Sequence, residues 1–281
     1  MINLDTLIEQ ANELTPLPAT TVRLAQMVGS VDCHLEDMAE LIAFDQGLTV
    51  KLLRAANSTA SASAVPVGTA QEAVFRLGAA RVLALTVASG ARPFLQTRIP
   101  AYGLDEGALW RHSVAAAVAA ETAPNFCTVD MPPETFTAAL LHDVGKLVMG
   151  RFLSPEILDY IRRAQEVDHL GQLAAESLLL NVHHGELGGL VAQHWGLPPR
   201  IVQGIIHHHT PDQGLDVICD FTCLANQIAK RIEAGLDGKK FDLTIAPEVM
   251  ERVGLTSNSL DNFCPIAASR FQQVSRHYNA V

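Results

Sequence analysis

Leu140-Leu141-His142-Asp143-Val144-Gly145-Lys146-Leu147 sets an adjacent histidine and aspartate inside an otherwise apolar helical run. Buried groups of this kind need partners that offset their desolvation, and neighbouring nitrogen and oxygen donors can share one divalent cation. Further donors lie on both sides: His112 upstream, then His183, His184, His207, His208 and His209 downstream. Nine of the eleven histidines fall between residues 112 and 209, a concentration that points to a metal pocket assembled from several helices.

At 281 residues the chain is long enough for a substantial core in one large or two modest domains. Alanine and aliphatic residues dominate and aromatics make up only 5%, which favours close-packed helices over a sheet sandwich. The net charge of −10, with no dense Lys/Arg stripe, excludes nucleic acid as a direct partner. Five cysteines form no paired framework, and Cys219 and Cys223, one helical turn apart, read as small core residues rather than a zinc pair. The expected compartment is the reducing cytoplasm. The amino terminus lacks a basic and apolar leader, and no uncharged run reaches membrane-spanning length, so no membrane association is expected.

In chain order, a short helix is expected over residues 1 to 14, a second after Pro18, a third ending near Asp45-Gln46-Gly47 and a fourth stopping at Asn57-Ser58. Thr69-Ala70-Gln71-Glu72 is a capping box, Gly78 interrupts the following helix, and an apolar helix runs from Ala79 to about Ala91. Arg92-Pro93 to Pro100-Ala101 reads as a connection to a second helical module, where Asp105 is placed to cap the helix carrying His112. Pro132-Pro133 opens the helix expected to bear His142 and Asp143, and Ser154-Pro155-Glu156 opens the next. A helix with Glu176 leads to His183-His184, and another is expected to end in the triple histidine. A long apolar helix from Leu215 to Lys230, a polar break at 235–240 and two closing helices complete an all-α chain.

The order of motifs resembles the HDOD family, a bacterial branch of the HD-domain superfamily. The resemblance rests on Leu17-Pro18, Asp45-Gln46-Gly47-Leu48-Thr49, Leu53-Arg54-Ala55-Ala56-Asn57-Ser58, Ala73-Val74-Phe75-Arg76-Leu77-Gly78 and Leu141-His142-Asp143-Val144-Gly145-Lys146. It continues through Glu176, His184-Gly185-Glu186-Leu187-Gly188, Trp195-Gly196-Leu197-Pro198 and Ile205-Ile206-His207-His208-His209, spanning roughly residues 15 to 230. It implies a multi-helix HDOD/HD-domain bundle: an N-terminal helical subdomain over residues 1–95, an HD-type bundle with the metal site over 96–235, and closing helices over 236–281.

Residue by residue, the resemblance implies His112, His142, Asp143, His184, His208 and His209 as ligands of one or two divalent ions, Fe, Mn, Mg or Zn. Asp143 and Lys146 are the expected catalytic residues, with Lys146 contacting phosphate. The later carboxylate ligand should stand at position 226, where this chain has Asn226; Asp220, six residues earlier, faces another side of the helix. The family's glutamate four residues before the first histidine is Ala108, and no Gly-Tyr-Pro element follows Thr210-Pro211-Asp212-Gln213-Gly214. His183 and His207 read as solvated residues beside the ligands, and Glu176 as a hydrogen-bond partner for one of them or for a nearby base. The expected function is a bacterial signal-transduction output protein with a degenerate metal site and a protein partner. The alternative is a metal-dependent phosphohydrolase acting on a nucleotide or phosphate ester.

Overall fold

In a computed structural model, the chain is described at residues 9, 11, 13–30, 32–58, 66–152, 157, 159–161, 163, 171–236 and 244–279. The helices are α1 Ala19–Val28, α2 Leu35–Ala43, α3 Gln46–Ala56, α4 Ala70–Leu77, α5 Ala79–Leu95, α6 Ala108–Thr122 and α7 Thr135–Leu141, then α8 Gly145–Phe152, α9 Gln172–Leu180, α10 His184–His194, α11 Pro199–Ile206, α12 Ile218–Leu236, α13 Pro247–Val253 and α14 Ser257–Asn279. Short 3₁₀ turns join some of them, and the described residues contain no strand beyond one isolated bridge between Ile99 and Leu104. The fold is all-α, as the composition requires. The helix expected over residues 1 to 14 and the one opened by Ser154-Pro155-Glu156 lie largely outside the described residues.

Local chemistry sets most boundaries. Thr69 and Glu72 form the reciprocal capping box at the start of α4: the Glu72 amide donates to Thr69 Oγ1 while Glu72 Oε2 accepts from the Thr69 amide. Gly78, at φ +75°, turns the chain so that α5 leaves α4 at 110°, a backbone conformation that residues with a Cβ avoid. Helix α5 does not stop before Pro93 as expected but runs through it to Leu95. The proline lies in the final turn, so its missing N–H forfeits a single hydrogen bond rather than splitting the helix. Asp105 does not cap α6; Gly107 occupies that position, and Asp105 stands exposed beside Arg98. Asn57 follows the end of α3, and its side-chain amide donates to Val67 O and accepts from Val67 N, tying that end to the approach to α4.

Helix α6 is the central strut of the second half. Its Leu109, Trp110, Val114 and the run Ala115–Ala120 are almost wholly buried, and the small side chains let α12 lie along one flank and α7 along another. Burial of this alanine-rich surface on several sides makes α6 rigid. Anything it carries inward, His112 included, is held in a fixed position.

Candidate metal centre

The His142-Asp143 pair is not inside a continuous helix. Helix α7 ends at Leu141 and α8 begins at Gly145, with a tight turn between them. There the amides bond three residues back: Val144 to Leu141 (2.9 Å), Lys146 to Asp143 (3.0 Å) and Leu147 to Val144 (3.0 Å). The tighter pitch replaces the four-residue ladder of an α-helix. It also brings His142 Nδ1 to the Ala139 carbonyl at 2.7 Å. An apolar run on both sides conceals such a turn from periodicity. The triple histidine likewise lies just past the end of α11 rather than within it, which frees His208 Nδ1 to bond Ile205 O at 2.7 Å.

Gly145 explains why α8 can approach α10. A Cβ there would stand 2.6 Å from Gly188 N and closer still to the His184 carbonyl oxygen, so only glycine admits this crossing. The close approach sets Asp143 Oδ1 3.3 Å from His184 Nε2 and 3.8 Å from His208 Nε2. Its other oxygen, Oδ2, lies 3.4 Å from His142 Nε2 and 3.6 Å from His112 Nε2. Two trios of donors result, His112–His142–Asp143 and His184–His208–His209, and within each the donor atoms lie within 4.8 Å of one another. Asp143 gives one oxygen to each side. All six residues expected as ligands therefore converge, while His183 and His207 belong to neither trio. His183 instead caps α10 through Nδ1, and Glu186 completes the box.

Hydrogen bonding fixes the tautomers of four rings. His112 Nδ1 meets Glu233 Oε2 at 2.8 Å, His184 Nδ1 meets Glu176 Oε2 at 2.7 Å, and His142 and His208 use Nδ1 on the backbone carbonyls already named. Each neutral imidazole carries one proton, and these acceptors claim it at Nδ1, so four Nε2 lone pairs point into one volume. Those of His112 and His142 come within 3.2 Å of each other. Burial pushes the pKa of His142 down and that of His208 well down; burial also lowers His209, to about 2, helped by His184. On these three rings a proton therefore does not relieve the crowding of lone pairs.

Burial alone would raise the Asp143 carboxyl, but the Lys146 ammonium, with His142 and His184, holds it well below the usual range. Lys146 Nζ lies 2.6 Å from Asp143 Oδ2, so this lysine is engaged at the centre and not spread into water. Asp143 Oδ1 and His208 Nε2 are buried with no hydrogen-bond partner among the described residues.

These orphaned donors fit a cation. Two ligands about 2.1 Å from a tetrahedral ion stand roughly 3.4 Å apart, close to the separations found here. Imidazole with one carboxylate suits Zn, Fe or Mn.

Asn226 occupies the position expected for the closing carboxylate. Its Oδ1 is 3.2 Å from His112 Nε2, so an amide oxygen points where a charged ligand would stand. Asp220 is elsewhere, paired with Arg252 at 2.8 Å.

Two partners were not legible from the sequence. Glu233 lies seven residues beyond Asn226, on the same face of α12, and that heptad spacing is the signal that could have marked it. Tyr102 donates its hydroxyl to Glu176 Oε1 at 3.0 Å from a 3₁₀ turn remote in sequence, with no local signal. Glu176 itself accepts from both the ring and the backbone amide of His184, which makes it the hydrogen-bond partner of a candidate ligand histidine.

A family model for the HDOD domain matches residues 14–211. The chain belongs to the HDOD family. Among solved structures, an HDOD domain protein of unknown function from Geobacter sulfurreducens superposes with a TM-score of 0.68 at 21% identity, covering 96% of this chain and 98% of that one. A candidate phosphohydrolase from Shewanella amazonensis SB2B gives 0.62 at 25% identity, with 95% and 97% covered. The HDOD chain is also 24% identical over 206 residues to an uncharacterized protein of Treponema pallidum (strain Nichols); the match takes in 72% of this chain but only 38% of that protein's length. No single helix among the described residues is long and apolar enough to cross a membrane.

Proposed function

We propose that this HDOD protein is a signalling output module whose divalent-metal centre holds a ligand and sets the conformation of a protein-binding surface. The observation that carries this reading is the combination of six converging donors with a neutral amide at the seventh position. Four Nε2 lone pairs and both Asp143 oxygens favour occupancy by metal, while Asn226 removes the charge that would restrain a reactive centre. When bound, the ions would supply Lewis acidity and a bound water of lowered pKa. The chain's own residues orient the rings through Glu233 and Glu176, exclude bulk water by burying His142, His184 and His208, and keep Lys146 at Asp143. A surface for a protein partner is offered by the N-terminal helices, where Phe44 is 90% and Phe75 48% exposed.

A second reading, a metal-dependent phosphohydrolase acting on a nucleotide or phosphate ester, is favoured by Lys146 at the centre and by the similarity to the Shewanella protein. Metal analysis of protein purified anaerobically, followed by a phosphate-release panel with Mn²⁺ or Fe²⁺, separates the two. Stoichiometric metal without turnover supports the output module. Turnover abolished by Asp143→Ala supports the hydrolase, and protein free of metal after metal-replete growth refutes both.

A further inference from the structure

Lys230 lies on α12 one turn beyond Asn226 and three residues before Glu233, the two residues of that helix that meet His112 on either side of its ring. Residues four apart on a helix stack on one face, so Lys230 belongs to the face of α12 that lines the metal centre. Its side chain is half-buried, and its charge acts on Asp143, Lys146, Glu233 and His209. Among the described residues its ammonium has neither a hydrogen bond nor an ion pair. The carboxylates it acts on are already engaged: Asp143 with Lys146, and Glu233 with His112 and Arg111. Helix α12 thus carries an amide where the carboxylate was expected and, one turn on, an unneutralised cation.

We infer that Lys230 and Lys146 form a two-armed clamp over the metal centre that retains a phosphate-bearing dianion as its ligand. The reading rests on the output-module proposal and names the ligand class of that site. The charge balance carries it. The trios contain a single carboxylate, Asp143, and Glu176 and Glu233 add two more behind the rings, so two divalent cations held there together with two ammonium groups still leave a positive excess that an anion would balance. Lys146 stands at Asp143 from α8, and the charge of Lys230 acts on Asp143 from α12, so the two cations flank the centre on separate helices. A tetrahedral phosphate, with oxygens directed to several sides, can accept from both arms at once while a further oxygen faces the ions. A neutral ligand would leave Lys230 desolvated and uncompensated.

The test is isothermal titration of the full chain with inorganic phosphate and, separately, with a nucleoside 5′-monophosphate, with metal content measured on the same samples. Lys230→Gln is expected to weaken phosphate binding about tenfold or more, the scale of one charge-assisted hydrogen bond. Metal content should be unchanged and Lys230→Arg should recover most of the affinity. Tighter binding of the monophosphate with the same Lys230 dependence supports the clamp and identifies a nucleotide source. Wild-type affinity in a metal-loaded Lys230→Gln variant overturns it, as does a metal-loaded wild type that binds neither compound. Metal-free protein that still binds phosphate through Lys230 refutes the metal reading and sustains the clamp, so the two failures are distinguishable.

Discussion

Replacing Gly145 by alanine should disable the centre without touching any donor. A Cβ at this position meets backbone, not flexible side chain: Gly188 N at 2.6 Å and the His184 carbonyl group, inside the 3.0 Å that real Cβ atoms keep. Neither neighbour can rotate away, since both belong to the first two turns of α10, and His184 is a donor of the second trio. Helix α8 must therefore move off α10 and take Asp143 with it, lengthening the 3.3 Å contact between Asp143 Oδ1 and His184 Nε2. Overpacking of a rigid contact costs about 3 kcal/mol. For a chain of this size that corresponds to a fall of roughly 6–12 °C in Tm. The expected result, from calorimetry and metal analysis on the same samples, is a Tm loss of that order with metal bound in the wild type but largely lost in the variant. A Gly145→Ala protein with unchanged Tm and full metal content would refute the claim that the crossing of α8 and α10 builds the site.

Three further outcomes follow from the geometry. Glu233→Gln should lower metal affinity about 10- to 100-fold in a competition titration with a chromophoric chelator, because the His112 ring loses the anionic acceptor that fixes its tautomer, with little change in secondary structure by circular dichroism. Asn226→Asp should raise metal affinity in the same titration, by about tenfold, since a charged oxygen replaces an amide oxygen at the place now 3.2 Å from His112 Nε2. The metal-free protein should lose stability as pH falls below about 6.5: His142, His208 and His209 have depressed values in the fold, so the unfolded chain binds the extra protons first. Urea titrations between pH 7.5 and 5 should show a cost of about 1.4 kcal/mol per pH unit for each histidine kept neutral, with His208→Gln reducing the slope.

The class of fold and the set of candidate donors were legible in the sequence because each rests on local or compositional signals. Abundant alanine, scarce aromatics and capping patterns such as Thr69 to Glu72 specify helices directly. A histidine-aspartate pair between apolar residues demands partners wherever the chain goes. What the sequence does not carry is how the chain turns at that pair. The break between α7 and α8, the end of α11 before His207 and the continuation of α5 through Pro93 leave no mark in the apolar pattern that the sequence offers. Glu233 and Tyr102 became partners of the site only through residues 121 and 74 positions away in the chain. Sequence alone determined which atoms could bind a cation. Only the tertiary structure decided that Asp143 offers one oxygen to each trio, that Asn226 faces the same volume and that Lys230 shares that face of α12 without an ion pair among the described residues, because these depend on helix crossings that local periodicity does not encode.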